Sequence, residues 1–208
     1  PFGEFSNLIT VQGNDTEDLS SLLERVKAKY QRMLIIVDSV YSMDGDFPEL
    51  PDAILLTGAS GLIGRELGKR LAARGDTLVC LVRDVDTARR RLPFPAECHA
   101  WDHTREVPLD AMRGVQAVIH LAGEPVAEGR WSAAKKALIL ESRVQSTRRL
   151  VQAVLAHGVG VHAFVHGSAV GYYGDRGDER LTAGSGRGPG FLADVVEQWE
   201  AELAPLQA

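Results

Sequence analysis

The chain of 208 residues lacks the features that mark membrane, secreted or nucleic-acid-binding proteins. It has no run of about 18 apolar residues that would span a bilayer. Its first residues, PFGEFSNLIT, lack the basic and apolar regions of a signal peptide. The 23 Lys and Arg against 28 Asp and Glu give a net charge of −5, so no overall basic field attracts nucleic acid. We therefore expect a cytoplasmic protein with no nucleic-acid or membrane partner.

The chain also has few cysteines, and this excludes a disulfide framework. Cys80 lies in the apolar run TLVCLV, where a thiol behaves as a small hydrophobic group. Cys98 and His99 are close to Asp102 and His103 in CHAWDH, but neighbouring residues of a strand point to opposite faces. The sequence thus predicts two reduced cysteines and no metal site.

From residue 53 onward, apolar runs alternate with amphipathic segments. Between the first two predicted strands, LIGRELGKRLAARG reads as a helix with Leu62, Ile63, Leu67 and Leu71 on one face and Gly75 at its end. A second long helix ends at Gly158. Strands separated by helices predict right-handed crossovers and a mostly parallel sheet covered on both faces, the doubly wound α/β architecture. The predicted strands are AILLTG, DTLVCLVR, AECHAW, GVQAVIHLAG and HAFVHGSAVG.

A glycine-rich turn, TGASGLIG, carries the strongest chemical signal. Gly58, Gly61 and Gly64 are spaced G-x-x-G-x-x-G between a predicted strand and a predicted helix. Such glycines permit a tight turn and a close approach of a diphosphate to the helix N-terminus, where free N–H groups and the positive dipole end favour an anion. The alternative interpretation is a tight turn that binds nothing. The strand and helix on either side favour dinucleotide binding.

The end of the second predicted strand indicates which dinucleotide binds. An acidic residue there would hold the ribose hydroxyls of NAD, but this chain has Arg83 in LVRD. A guanidinium matches a 2′-phosphate by charge and by its fork of donors, with Arg89 or Arg90 as possible helpers. The sequence therefore favours NADP(H), and NAD remains the alternative if Arg83 is only a solvated strand end and Asp84 holds the ribose.

Residues 53–208 resemble the extended short-chain dehydrogenase/reductase superfamily, in its NAD-dependent epimerase-like branch of uncertain substrate. The resemblance rests on ILLTGASGLIGREL, VIHLAGEPVAEGRW, ESRVQSTRRLVQAV, GSAVGYYGDRGDE and GFLADVVEQWE. It implies a Rossmann-type fold in which Arg83 meets the adenosine ribose phosphate and Asp102 lies near the adenine. It also implies that Ser168 polarises a substrate carbonyl. The diphosphate would be held by Gly58, Ser60, Gly61, Leu62 and Ile63, and the cofactor ribose by Leu121, Ala122 and Gly123.

One segment departs from the wider superfamily, in which a Tyr-x-x-x-Lys helix transfers the proton. Here the helix reads FLADVVEQWE, so the two positions are Phe191 with Val195, or Leu192 with Val196. Neither pair transfers a proton, which puts ordinary carbonyl reduction in question. Replacement donors in the neighbouring loops are Tyr172, Tyr173 and Glu124, of which we take Tyr173 as the catalytic candidate beside Ser168. The alternative for GYYG is a packed aromatic turn.

Residues 1–51 resemble a fragment of an α-oxoamine synthase, a pyridoxal-phosphate enzyme, through ND…LSSLLE and IIVDSVYSMDGDFPELP. The segment predicts a helix over DTEDLSSLLERVKAKY and a strand over MLIIVDSVYS, and the resemblance places Ser42 near the pyridoxal phosphate. The later residues of that site are absent, so we expect no complete pyridoxal-phosphate site. Such a piece cannot bury enough apolar area alone. Its LIIV run must therefore join the neighbouring sheet, pair with another chain or stay poorly ordered.

Taken together, the sequence predicts two parts, residues 1–52 and an NAD(P)-binding domain at 53–208. Because the chain stops at WEAELAPLQA, we expect a fragment with a truncated C-terminal substrate domain. The predicted function is an NADP(H)-binding oxidoreductase or epimerase-like domain for an unknown small carbonyl or hydroxyl compound. The alternatives are a dinucleotide-binding module without turnover and a remnant of a synthase–reductase fusion. The sequence does not indicate the oligomeric state.

Overall fold

The computed structural model describes residues 8–11, 33–38, 53–182 and 184–207. Its described strands form one sheet of seven, in the order β1-β2-β7-β6-β3-β4-β5, and each pairing is parallel. The five strands predicted from residue 53 onward are all present. The strands are β1 Leu8–Val11, β2 Met33–Asp38, β3 Ala53–Thr57, β4 Thr77–Val82, β5 Glu97–Ala100, β6 Ala117–His120 and β7 Ala163–Ser168.

Four α-helices lie in the described chain, and their ends follow local capping rules. The N-cap hydroxyl of Ser132 accepts a hydrogen bond from the Lys135 N–H, and that helix ends at Gly158 as predicted. The first helix ends at Gly75, whose φ of +103° is a left-handed conformation that glycine adopts without strain. The helices are α1 Leu62–Arg74, α2 Val85–Arg91, α3 Ala133–His157 and α4 Phe191–Ala201, with 3₁₀ turns at Leu109–Met112, Val170–Tyr173 and Ala204–Leu206.

Both faces of the sheet are covered by helices. Successive side chains of β3 point to opposite faces, so Leu55 packs in one core with Leu150 of α3 and Phe164 of β7. Ile54 and Leu56 pack in the other core with α1 and α2. The doubly wound parallel architecture predicted from the sequence is therefore confirmed.

Helix α1 packs differently from its predicted face. The buried positions are Gly64, Leu67, Gly68 and Leu71, an i, i+3, i+4, i+7 stripe. Leu62 lies off this stripe and is 91% exposed, so its predicted place on the buried face was wrong. A phenylalanine ring explains one of the glycines, because a Cβ on Gly68 would lie 2.2 Å from the Phe94 ring.

The N-terminal strands extend the sheet beside β7. Strand β2 pairs with β7 from Met33 opposite Ala163 to Asp38 opposite Ser168, and β1 pairs with β2. Addition to the neighbouring sheet is one of the three outcomes expected for the LIIV run. Strand β1 was not predicted from the sequence, because four residues are too few to show a strand periodicity. The helix predicted over DTEDLSSLLERVKAKY, and Ser42, lie outside the described residues.

In the common doubly wound order, 3-2-1-4-5-6, the sixth strand lies beside the fifth. Here the strands β5-β4-β3-β6-β7 occupy the first five places of that order. The place of the sixth strand is taken by β2, which comes from the N-terminal part of the chain.

Within the described residues, no helix combines the length and apolar character needed to cross a membrane.

We expect Leu150→Ala to lower the free energy of unfolding by about 2–5 kcal/mol, because Leu150 is fully buried and its truncation leaves a cavity. Leu155→Ala is the matched control, since Leu155 lies on the same helix but is 37% exposed. Urea unfolding measures both. Equal losses in the two variants would contradict this core assignment.

Candidate functional site

The strand order reverses between β3 and β6, which makes this point of the sheet a switch point. The connections that follow the two neighbouring strands run in opposite directions there, so a crevice opens at the carboxyl ends of the strands. The glycine turn follows β3, and Leu121, Ala122 and Gly123 follow β6. Two segments that the sequence singled out separately thus lie side by side.

The glycine turn needs glycine at two positions for different reasons. Gly58 has φ of +70°, and its carbonyl accepts a hydrogen bond from the Gly61 N–H at 2.9 Å. A Cβ on Gly64 would lie 2.2 Å from that same carbonyl oxygen, so only glycine lets α1 start this close to the turn. The spacing therefore encodes both the turn and the helix packing against it.

The segment after β6 is fixed to the glycine turn by direct contact. A Cβ on Gly58 would lie 2.7 Å from the Leu121 carbonyl carbon. Beneath it, the Thr57 hydroxyl oxygen accepts hydrogen bonds from the N–H groups of Leu121, at 3.2 Å, and Ala122, at 3.1 Å. The floor of the crevice is therefore closed and pre-formed.

The N-terminus of α1 opens into the crevice without a side-chain cap. Gly61 is the N-cap, and the first turn carries no acidic residue that would offset the dipole. The first-turn N–H groups, including those of Leu62 and Ile63, have no carbonyl partner within a helix. Ser60 and Leu62 are exposed at this point. An anion fits this arrangement.

Arg83 and Asp84, the two alternatives at the end of β4, have different surroundings. The Asp84 carboxylate caps α2, accepting the Thr87 N–H and the Thr87 hydroxyl, each at 2.9 Å. These hydrogen bonds hold the pKa of Asp84 below its usual value. Arg83 is exposed and has no ion-pair partner in the described chain. The guanidinium is therefore available to a ligand, whereas the carboxylate is engaged.

Asp102 follows β5 at the same edge of the sheet, beyond Arg83. Its carboxylate accepts the N–H of Thr104 at 2.9 Å and the hydroxyl of Thr104 at 2.5 Å. The hydroxyl bond is the main cause of the lowered pKa of Asp102. Asp102 thus stabilises the turn after β5. This turn lies at the same end of the crevice as Arg83, because β4 and β5 are neighbouring strands.

A buried polar network lies under the crevice. Thr57 accepts two backbone N–H groups, so its own hydrogen is donated to His120 Nδ1 at 2.6 Å. His120 then carries its proton on Nε2 and donates it to Ser146 Oγ at 3.0 Å. Burial, with Arg143 as a smaller cause, lowers the pKa of His120 to about 3. The imidazole is therefore neutral and fixes the ends of β3 and β6 to α3.

A second buried imidazole, His166 of β7, packs 5.5 Å from His120 between ring centroids. Its Nε2 lies 3.1 Å from Thr147 Oγ1, which also accepts the Trp199 indole N–H at 2.9 Å. Its Nδ1 is buried with no partner in the described residues. Burial lowers the pKa of His166 well below its ordinary value. Together the two histidines connect β6, β7, α3 and α4.

Ser168 lies at the end of β7, where only 8% of it is exposed. Its hydroxyl donates to Glu200 Oε1 of α4 at 2.5 Å. Glu200 was missed in the sequence analysis. The available signal was its spacing, because Glu200 follows Val196, one of the positions where lysine was sought, by one helical turn.

The tyrosine turn after β7 is packed. Tyr173 is buried and contacts Tyr172 edge to face, with ring centroids 5.3 Å apart. The loop that follows closes over this turn, where the Gly188 N–H donates to the Tyr172 carbonyl at 2.9 Å. This geometry agrees with the alternative interpretation of GYYG as an aromatic turn.

The loop between β6 and α3 is held at both ends. The Glu124 carboxylate pairs with Lys135 at 2.6 Å, and the Glu124 N–H donates to Ser142 Oγ at 3.0 Å. Trp131 contacts Phe191 of α4 edge to face at 5.7 Å between centroids. This loop therefore borders the crevice on the side of β7 and α4.

The CHAWDH segment does not gather ligands for a metal. His99 Nε2 lies 2.8 Å from Glu97, Cys98 is a buried free thiol, and Asp102 bonds Thr104 as described. Across the described ranges, no group of three or more His, Cys, Asp or Glu side chains is placed to hold a metal ion.

The parallel sheet, the glycine turn and the segment after β6 define a protein class. The chain belongs to the NAD dependent epimerase/dehydratase family, whose model matches residues 54–189. It is 34% identical over 155 residues to epimerase family protein ML0860 of Mycobacterium leprae, a match that covers 74% of this chain and 48% of that protein. The chain thus spans about half the length of this curated relative.

Two solved structures are similar over the same part of the chain. A nucleoside-diphosphate sugar epimerase from Corynebacterium glutamicum is 35% identical with a TM-score of 0.60, covering 75% of this chain and 31% of that one. Human epimerase family protein SDR39U1, solved with NADPH, is 26% identical with a TM-score of 0.59, covering 72% of this chain and 48% of that one.

The neutral, buried His120 predicts an acid-labile fold. An unfolded histidine binds a proton below about pH 6.5, whereas native His120 stays neutral until about pH 3. Stability is therefore lost as the pH falls below the unfolded pKa, and His120 contributes a loss of about 2 kcal/mol between pH 7 and pH 5. We expect His120→Gln to reduce the pH dependence of the unfolding free energy by that amount.

His162→Gln is the control for this prediction, because His162 is exposed. Urea unfolding at pH 7 and pH 5 gives the difference for each protein. An unchanged pH dependence in His120→Gln would show that this imidazole is not held neutral.

Proposed function

We propose that this chain contains an NADP(H)-binding domain of an oxidoreductase or epimerase-like enzyme that acts on a small carbonyl or hydroxyl compound. One observation carries the proposal: an uncapped helix N-terminus, reached through a turn that only glycine permits, opens at the switch point of a parallel sheet. The human relative solved with NADPH supports it. The activity of the whole protein is part of this proposal.

The residues of the crevice fit a nicotinamide dinucleotide. A Cβ on Gly58 or Gly64 would clash with neighbouring backbone, so these glycines hold the turn tightly against the start of α1. The first-turn N–H groups of α1, which carry no side-chain cap and no acidic neighbour, are the groups that suit a diphosphate. Gly58, Ser60, Gly61, Leu62, Ile63 and Gly64 would hold the diphosphate, and Leu121, Ala122 and Gly123 the ribose. When bound, the nicotinamide would supply hydride transfer to or from a substrate carbon.

The choice of NADP(H) over NAD rests on Arg83. Its guanidinium is exposed and unpaired in the described chain, and the competing carboxylate of Asp84 caps α2. Arg89 and Arg90 lie on the next helix, at the same end of the crevice. The name of the family favours NAD, so NAD is the alternative that the experiment must separate.

Proton transfer is assigned to Ser168. Because the Ser168 hydroxyl gives its hydrogen to Glu200, its oxygen is free to accept one from a substrate hydroxyl. The proton of the substrate would pass to Ser168 as the proton of Ser168 passes to Glu200, and reduction would reverse both steps. Tyr173 is kept as the second candidate, although its burial favours a packing role.

The second function is a dinucleotide-binding module without turnover. Val195 and Val196 are buried apolar residues of α4, so neither position of the missing lysine carries an ionisable group. For the substrate class, the Corynebacterium relative points to nucleoside-diphosphate sugars. The division at residues 52 and 53 and the cytoplasmic location remain proposals.

Titration with NADPH and NADH tests the cofactor assignment. We expect tighter binding of NADPH, and we expect Arg83→Gln to weaken NADPH roughly tenfold or more while leaving NADH unchanged, because only NADPH has the 2′-phosphate. Arg113→Gln is the control, since Arg113 is an exposed arginine that precedes β6 and therefore lies at the amino ends of the strands, away from the crevice. Equal affinity for the two coenzymes would overturn the role of Arg83.

Turnover of a panel of ketones, alcohols and nucleotide sugars separates the enzyme from the module. We expect Ser168→Ala to lower kcat by roughly 100-fold or more, the scale of a lost acid–base group, with NADPH affinity retained. Tyr173→Phe, which keeps the buried ring, reports on the second candidate. If no compound of the panel is turned over while NADPH binds, the module is favoured.

A further inference from the structure

Arg143 of α3 reaches from the helix to the segment that follows β6. A Cβ on Gly123 would lie 2.9 Å from the guanidinium carbon of Arg143 and 3.1 Å from its Nη2. The missing side chain of Gly123 therefore makes room for this cation. The guanidinium stands beside the residues assigned above to the cofactor ribose.

The guanidinium is held in place on one side only. Nη1 donates to the carbonyl of Glu124 at 3.0 Å and to that of Ile139 at 3.2 Å, and Cζ lies 5.2 Å from the centre of the Trp199 ring. An arginine has five N–H donors, so three remain, on Nε and Nη2. Those two nitrogens have no partner among the described residues.

The two unpartnered nitrogens are also accessible. In the described chain, the fully buried side-chain nitrogens and oxygens without a partner are Arg149 Nε and His166 Nδ1, and no atom of Arg143 is among them. Unused donors of a half-buried arginine are expected to meet water or a ligand. The edge of the guanidinium formed by Nε and Nη2, its open edge, is therefore not enclosed in the core, and Nη2 lies next to Gly123 in the segment that follows β6.

The charge of Arg143 is not matched by an ion pair. In the described chain, no carboxylate lies within 4.0 Å of it, and the nearby Glu124 carboxylate pairs with Lys135 at 2.6 Å. Burial lowers the pKa of Arg143, yet a guanidinium stays protonated at neutral pH. The crevice thus contains a half-buried cation for which the described residues supply no carboxylate counterion.

The position along the crevice indicates which part of the ligand it meets. Arg83 and Asp102 lie at the ends of β4 and β5, on one side of the glycine turn, and adenosine is assigned to that side. Arg143 lies on the other side, towards β7 and α4, because it contacts Trp199 of α4. A dinucleotide that crosses the switch point brings its nicotinamide half to this side.

We propose that Arg143 is a cofactor-binding residue whose open edge donates hydrogen bonds to the ribose hydroxyls of the nicotinamide half. Its positive charge comes from α3, whereas the two superfamily lysine positions in α4, Val195 and Val196, carry no charge. This inference rests on the proposed function, since it requires a nicotinamide dinucleotide in the crevice.

Two ligands test the assignment: NADPH, and adenosine 2′,5′-bisphosphate, which has the phosphorylated adenosine but no nicotinamide ribose. In Arg143→Gln we expect NADPH affinity to fall roughly 10- to 100-fold, the range for hydrogen bonds from a charged donor, with adenosine bisphosphate affinity unchanged. Arg143→Lys, which keeps the charge, should recover part of the loss. Calorimetric titration measures all of these without turnover.

Lys135→Met is the matched control, because it breaks the other cationic contact of the same loop, to Glu124. It should leave the ratio of the two affinities as in the wild type. An unchanged NADPH affinity in Arg143→Gln, or equal losses for both ligands, would overturn the assignment. Wild-type protein that binds neither ligand would overturn the proposed function itself.

Discussion

The Thr57 hydroxyl is the contact on which the crevice depends. It accepts the backbone N–H groups of Leu121 and Ala122 and donates to His120, so a single oxygen ties the end of β3 to the end of β6. A valine of the same shape would leave two N–H groups and one imidazole nitrogen without partners in a buried place, which is strongly destabilising. The pre-formed floor therefore follows from one side chain at the switch point of the sheet.

From Thr57 the polar network continues into the helices. His120 donates to Ser146 of α3, and Thr147, one residue further, accepts from Trp199 of α4. The same helix carries Arg143, whose backbone carbonyl accepts the Thr147 hydroxyl at 2.8 Å. The network thus helps to fix the backbone of Arg143, from which the side chain extends towards Gly123. Hydrogen-bonded buried networks of this kind stiffen the elements that they join, although His166 Nδ1 has no partner among the described residues.

The sequence predicts what depends on local patterns and fails where distant segments meet. The five strands from residue 53 onward, the helix ends at Gly75 and Gly158, and the glycine turn are each encoded within a few neighbouring residues. The Ser168–Glu200 and Arg143–Gly123 contacts join segments about 20 to 30 residues apart, and no periodic pattern in the sequence predicts such contacts. The exposure of Leu62 was missed because an apolar residue at a helix start was read as core, whereas the buried stripe begins at Gly64.

The missing Tyr-x-x-x-Lys pair need not mean that the chemistry is lost. A phenol has an ordinary pKa near 10 and needs a neighbouring cation to act as a base at neutral pH, whereas a carboxylate is ionised there without one. The proposed relay through Ser168 ends on a carboxylate, so the cation need not adjoin the proton path. Arg143, on a different helix from Glu200, is then free to hold the ribose alone. In the two proposals, proton transfer and ribose binding fall to different residues: Ser168 with Glu200 would move the proton, and Arg143 would hold the ribose.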